Sequence, residues 1–165
     1  MRPEDFERLY AEHAARIYSF VAYRVGDPQL AEDLTADVFE RALRARRRYD
    51  SAKGSEQTWL YAIAVNRVRD QGRRRAAERR AIDRLPAAPS ETGDSAERLG
   101  TSDEVLRAVA ALSPDEREVV ALRYGADLTA PQIAEALDQP LTTVEGRLYR
   151  ALRKLRAALG PAEPG

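Results

Sequence analysis

Residues 128–159 read LTAPQIAEALDQPLTTVEGRLYRALRKLRAAL, and this stretch decides the fold class. Thr129 stands three positions before Gln132, a spacing at which two side chains cap the free amides of a helix's first turn. Ile133, Ala134 and Leu137 then recur at helical spacing. Asp138, Gln139, Pro140 and Leu141 interrupt the pattern. Thr142–Glu145 repeats the start signal, and Val144, Leu148, Leu152, Leu155 and Leu159 form a second apolar stripe. Two helices joined by a four-residue turn, the second with a polar start and a basic body, have the layout of a helix-turn-helix. The second helix, expected at about 142–159, shows Thr143, Glu145, Gly146, Arg147 and Arg150 on its polar face. Residues at the start of such a helix are placed to meet base edges in a major groove. Gly146 costs roughly 1 kcal/mol relative to alanine inside a helix, a cost offset where the backbone must approach DNA closely. Glu145 suits two compatible roles, completing its capping box and accepting from a cytosine amino group.

Upstream, Ser113–Glu116 and Thr101–Glu104 give two further start signals, with Pro114 just inside the first of these. Helices are expected at about 103–111, 114–124 and 130–137. Residues 86–102, PAAPSETGDSAERLGTS, lack an apolar period and read as a flexible linker. Before it, Phe6, Leu9, Tyr10, His13, Ile17, Phe20 and Val21 form one helical stripe, and His13 reads as a structural residue within it. Asp27-Pro28 opens a second helix, carrying Ala31, Leu34, Val38, Phe39 and Ala42. Residues 49–57 read as a loop. A third helix begins near Thr58, with Trp59, Leu60, Ile63, Ala64 and Val68 on its apolar side. No stretch alternates as a strand does. The expected fold is all-α: two small helical domains, 1–85 and 103–160, joined by the linker, the second holding the helix-turn-helix.

The chain has 165 residues, 27 basic and 27 acidic, so its formal charge is zero. Taken alone, that balance argues against nucleic acid, and placing the charges removes the objection. Residues 1–85 carry 18 basic and 14 acidic side chains; residues 86–104 carry one and five. Arginines cluster at 41–48 and 67–84, and Arg147, Arg150, Arg153, Lys154 and Arg156 form a third group. All but two of the basic residues are Arg, whose planar fork suits phosphates and base edges. Such clusters supply the electrostatic part of nucleic-acid binding.

Other classes are excluded. With no cysteine and one histidine, neither a disulfide framework nor a thiolate or histidine metal site can be built. No nucleotide-binding glycine loop occurs. Asp33 and Asp37 share a helix face, which alone makes a poor case for a carboxylate metal site, so no catalytic residue, metal or cofactor is expected. No apolar run approaches the ~20 residues of a spanning helix, and no signal segment follows Met1. A soluble, cytoplasmic protein without membrane insertion is expected.

Three collinear segments carry a family resemblance: FERLYAEHAARIYSFVAYRVGDPQLAEDLTADVFERALR at 6–44, WLYAIAVNRVRDQGRRR at 59–75, and LSPDEREVVALRYGADLTAPQIAEALDQPLTTVEGRLYRALRKLR at 112–156. Together they resemble a bacterial RNA polymerase sigma factor of the extracytoplasmic-function, or group IV, class. The resemblance implies a protein that binds the β′ and β subunits of core RNA polymerase and directs promoter-specific initiation. It assigns core-polymerase binding to Asp33, Leu34, Asp37, Val38 and Phe39, with Arg41 and Arg44 beside them. Ala36-Asp37 stands where the family often has Gln-Glu, so one amide contact is missing. It assigns the minus-ten element to the loop near Lys53 and to Trp59, Asn66, Arg67, Arg69, Arg73 and Arg74. Opening DNA requires capture of unstacked bases, which amide, guanidinium and aromatic groups provide. Trp59 also fits core packing. The minus-thirty-five element falls to Gln132, Thr142, Thr143, Glu145, Gly146, Arg147 and Arg150. Here Glu145-Gly146-Arg147 replaces the family's frequent Lys-Ser-Arg, which leaves base preference open. The resemblance also implies an anti-sigma partner. The competing reading is a stand-alone helix-turn-helix repressor or activator, which leaves the Arg-rich N-terminal helix without a role.

Overall fold

The computed structural model describes residues 1–83 and 103–160, and every regular element among them is helical. The expected linker at 86–102 and the start signal at Thr101–Glu104 lie wholly or partly outside the described residues. Helix α1 spans Pro3–Val25. Proline opens it, Glu4 and Asp5 occupy its positive end, and Gly26 closes it in the left-handed conformation (φ 70°) with its N–H on the Ala22 carbonyl. Helix α2 spans Pro28–Ala45, and Asp27 caps it as the sequence predicts, accepting from the amides of Gln29 and Leu30. A 3₁₀ turn follows at Arg46–Arg48. Helix α3 spans Glu56–Ile82, with Ser55 accepting from the Thr58 amide. It therefore starts two residues before the expected Thr58 and carries the Arg-rich stretch along its second half.

The second segment forms α4 (Asp103–Ala110), α5 (Pro114–Val120), α6 (Ala130–Leu137) and α7 (Leu141–Leu159). The boxes at Ser113–Glu116 and Thr129–Gln132 form with both reciprocal hydrogen bonds. Two expectations need correction. The helix predicted to run to 124 stops at Val120, and residues Ala121–Gly125 form a widened π turn. The Ala126 amide bonds back to Ala121, and the Leu128 amide to Leu122. This turn presses Gly125 onto α1. A Cβ there would stand 2.9 Å from Tyr23 Cδ2 and 3.2 Å from the Phe20 backbone, so glycine is required by close approach. The expected Thr142–Glu145 box does not form either. Helix α7 starts at Leu141 with Pro140 in the capping position and no side-chain cap. The amides of Thr143 and Val144 are met by the Pro140 carbonyl instead.

One apolar cluster runs through both segments. Leu9, Ile17, Phe20, Val21, Leu34, Val38, Leu60 and Tyr61 share it with Val119, Leu122, Leu128, Ile133 and Val144. Phe20, Val21, Val119 and Leu122 have no exposed surface. Burying side chains of this size contributes roughly 1.5–3 kcal/mol each. Neither segment alone is long enough for a generous core, and packing them together enlarges it. A smaller cluster of Leu112, Val120 and Ala151 ties α5 to α7. His13 is buried edge-on against Tyr61, with ring centroids 5.6 Å apart. Burial lowers its pKa, so it is a neutral core residue at pH 7.

Candidate nucleic-acid and polymerase interface

Helix α2 presents a polar edge over a buried stripe. Leu34, Val38 and Phe39, assigned by resemblance to polymerase contact, are 2%, 0% and 5% exposed. Helical periodicity turns them inward, so they shape the surface from beneath. Asp33, Arg41 and Arg44 are exposed. Arg44 donates to Glu40 at 2.6 Å. Asp37 is half-buried, accepts from Arg67 Nε, and lies 3.4 Å from Arg41 Nε. Burial raises its carboxyl pKa and the two guanidiniums lower it; the net result is a lowered pKa and an ionised Asp37. Two exposed apolar side chains adjoin this edge, Tyr10 against Phe39 and Leu43 one turn beyond it. The sequence reading puts Tyr10 in the apolar stripe of α1, where its ring is half exposed, and does not single out Leu43; the i, i+4 relation of Leu43 to Phe39 is the signal that finds it.

Helix α3 displays Asn66, Arg69 and Arg73 along one face, at positions i, i+3 and i+7. Asn66, Arg73 and Arg74 are exposed, and Lys53 is exposed in the preceding loop. Trp59 is half-buried with its ring 5.5 Å from Tyr49, so it is partly covered by packing. Arg67 departs from expectation. Its residue exposure is 8%, and it is locked onto Asp37, so it ties α3 to α2 rather than reaching a phosphate. Arg69 is also engaged, donating to both Glu118 oxygens at 2.9 and 2.8 Å. The Glu118 side chain is 3% exposed, and its hydrogen bonds lead the causes that raise the Arg69 pKa. Arg73 pairs with Asp70.

In the helix-turn-helix, Thr142, Glu145 and Arg150 are exposed, while Thr143, Gly146 and Arg147 are half-buried. Arg147 faces Asp115 at 3.7 Å. Gln132 is exposed, but its side chain accepts from the Thr129 amide, which commits part of it to capping. Glu145 caps no amide of α7, and its side chain is exposed. A Cβ at Gly146 would meet only the movable Arg150 Nη1, at 3.3 Å, so no rigid neighbour demands glycine. Tyr149, 67% exposed, shares a face with Thr142, Glu145, Gly146 and Arg150. The sequence reading does not single it out, although its i+3 and i+4 spacing from Gly146 and Glu145 places it on their face. No group of three or more potential metal-ligating side chains occurs among the described residues, and no helix there is long and apolar enough to cross a membrane.

Comparison with known proteins agrees with this geometry. The family model for Sigma-70 region 2 matches residues 9–83, and that for Sigma-70 region 4 matches residues 96–155. The ECF RNA polymerase sigma factor SigK of Mycobacterium sp. (strain KMS) is 30% identical over 162 residues, covering 95% of this chain and 84% of that protein. The ECF RNA polymerase sigma factor BldN of Streptomyces coelicolor is 32% identical over 160 residues, covering 94% of this chain and 61% of that protein. The sigma factor RpoE of Bartonella quintana, solved in complex with the anti-sigma factor NepR, shares the fold (TM-score 0.75, 21% identity), covering 94% of this chain and 97% of that one. CnrH, solved with the cytosolic domain of CnrY, superposes with TM-score 0.71 at 26% identity, covering 96% and 89%. The chain therefore belongs to the extracytoplasmic-function sigma factors, which join core RNA polymerase and direct promoter-specific transcription initiation.

Proposed function

We propose that the two segments divide the work of promoter recognition and that the packed chain is the resting form. The first segment, 1–85, engages polymerase through the edge formed by Asp33, Arg41 and Arg44. It reads and opens the minus-ten element with Lys53, Trp59, Asn66, Arg69, Arg73 and Arg74. The second, 103–160, reads the minus-thirty-five element with Thr142, Thr143, Glu145, Gly146, Arg147 and Arg150, joined by Tyr149. The interior residues Leu34, Val38, Phe39 and Arg67 hold the polymerase edge and α3 in place.

The observation that carries the resting-form reading is the Arg69–Glu118 pair, in which a DNA-facing arginine of one segment is bound by a buried carboxylate of the other. Scale supports it. Elements about 25 base pairs apart are separated by roughly 85 Å at 3.4 Å per step. A compact chain of this length has a radius of gyration of about 15 Å. The packed form cannot reach both elements, so polymerase must hold the segments apart. Once they are held apart, each segment binds with the effective concentration set by the other. An anti-sigma protein that favours the packed form is the natural negative regulator, acting in the cytoplasm where polymerase is found.

A gel-shift titration tests this reading. Promoter duplex is expected to bind tightly to the holoenzyme and weakly to the free chain. Tight, specific binding by the free chain alone would favour a stand-alone helix-turn-helix regulator instead.

A further inference from the structure

A cleft of about 570 Å³ lies between the end of α1, the middle of α3 and the first turn of α5. Six arginines line it: Arg24, Arg69, Arg73, Arg75, Arg79 and Arg117. Its two acids are Asp115 and Glu118, of which Glu118 is consumed by Arg69 and Asp115 faces Arg147. Arg73 is paired with Asp70 outside the cleft, which leaves Arg24, Arg75, Arg79 and Arg117 without a carboxylate partner among the described residues. Arg24 Nε and Arg117 Nε are both buried without a hydrogen-bond partner. Burial is the first cause lowering the pKa of each guanidinium. Glu118 offsets part of this for Arg24, and repulsion adds to it in both cases, from Arg117 and Arg69 on Arg24, and from Arg79 on Arg117. Like charges assembled around a cavity, with donors left over, are the complement of a missing anion.

The shape selects the kind of anion. Arg69 and Arg73 form one pair on α3, and Arg75 and Arg79 a second pair about 120° around it; together they span residues 69–79, about 15 Å of helix. Two pairs of guanidiniums around one cleft suit a ligand with several linked anionic groups better than a single ion. The volume lies within the ~300–1,000 Å³ range of small-ligand pockets. Helix α5 walls one side of the cleft while the segments are packed.

We propose that this cleft is a binding site for a small oligophosphate, a ligand with two or three linked phosphates, free or carried on a nucleoside. Its arginines come from both segments, Arg117 from the second and the others from the first. The bound ligand therefore bridges the segments and stabilises the packed form by mass action.

The test is calorimetric titration of sodium triphosphate into the full-length chain at fixed ionic strength, with a thermal melt at each concentration. Saturable one-to-one binding and a rising melting temperature are expected, beyond the effect of sodium chloride at matched ionic strength. Arg117→Gln and the exposed Arg79→Gln should each weaken binding about tenfold. Arg48→Gln, on an exposed turn outside the cleft, should leave it unchanged. A nucleoside triphosphate is titrated in parallel. Tighter binding than the inorganic ion assigns the remaining volume to base and sugar, and equal binding assigns the site to the phosphate chain. No saturable heat, or equal losses in all three variants, would overturn the proposal. So would a short duplex that binds through Arg79 where triphosphate does not. The readout involves neither polymerase nor promoter, so its failure is distinguishable from failure of the sigma-factor reading.

Discussion

Gly125→Ala should open the packed chain without touching any residue assigned to DNA or polymerase. The added methyl would lie 3.2 Å from Phe20 N and Cα and 2.9 Å from Tyr23 Cδ2. The Tyr23 ring can swing aside. The Phe20 backbone, held within the helical turns of α1 and fully buried, cannot. Overpacking of this kind costs about 1–3 kcal/mol. Because the clash lies where the two segments meet, the cost falls on their association. It shifts the ratio of open to packed chain by about 5- to 150-fold. The assay exploits the absence of cysteine: cysteines introduced at the exposed positions Glu7 and Arg153 are the only dye sites. Energy transfer between them should fall in Gly125→Ala, and affinity of the free chain for promoter duplex should rise. Run-off transcription with core polymerase should be retained, since polymerase opens either form. Unchanged energy transfer with an unchanged melting temperature would refute the reasoning, because the clash would then be absorbed within one segment.

Arg150→Ala should reduce transcription from promoters with a minus-thirty-five element by about 5- to 150-fold, the value of one bidentate base contact of about 1–3 kcal/mol, and leave core-polymerase affinity unchanged in a pull-down. Gly146→Ala should raise the melting temperature, since alanine favours a helix by about 1 kcal/mol and only Arg150 must yield; the same variant should transcribe less if backbone approach to DNA is the reason for glycine. Glu116 is buried beneath Lys154, which donates to it at 2.6 Å, and its pKa is lowered first by that bond and further by Ser113. A carboxyl depressed on folding contributes stability above its unfolded pKa, and that stability is lost as pH falls through the folded value. Lys154→Met should therefore cost about 1 kcal/mol at pH 7, the modest end for a bond to a charged group because Lys154 is half exposed. The difference from the parent should vanish in denaturant melts well below pH 4.

The elements were legible where local chemistry determines them. Asp27, Ser113 and Thr129 cap as the sequence predicts, because a side chain and an amide three residues apart need no distant partner. The helix-turn-helix was legible for the same reason. What the sequence hid depends on packing between distant segments. The stop at Val120 and the widened turn exist to seat Gly125 on α1, over a hundred residues away in the chain. Arg67 and Arg69 look alike in sequence, yet one is buried on Asp37 and the other reaches Glu118. No spacing rule distinguishes them, because their partners lie 30 and 49 residues away. Thr142–Glu145 misled because Pro140 already satisfies the first amides of α7. The zero net charge proved the least informative feature, since the cleft concentrates six arginines within one face of a neutral molecule.

The central claim is that this chain gives core RNA polymerase its choice of promoter. Run-off transcription of fragmented genomic DNA, with core polymerase alone and with the chain added, measures it directly once the start sites are sequenced. The account predicts discrete start sites that appear only with the chain present and share two upstream elements about 25 base pairs apart, one for each segment. The same start sites from core polymerase alone, or none with the chain added, would contradict it.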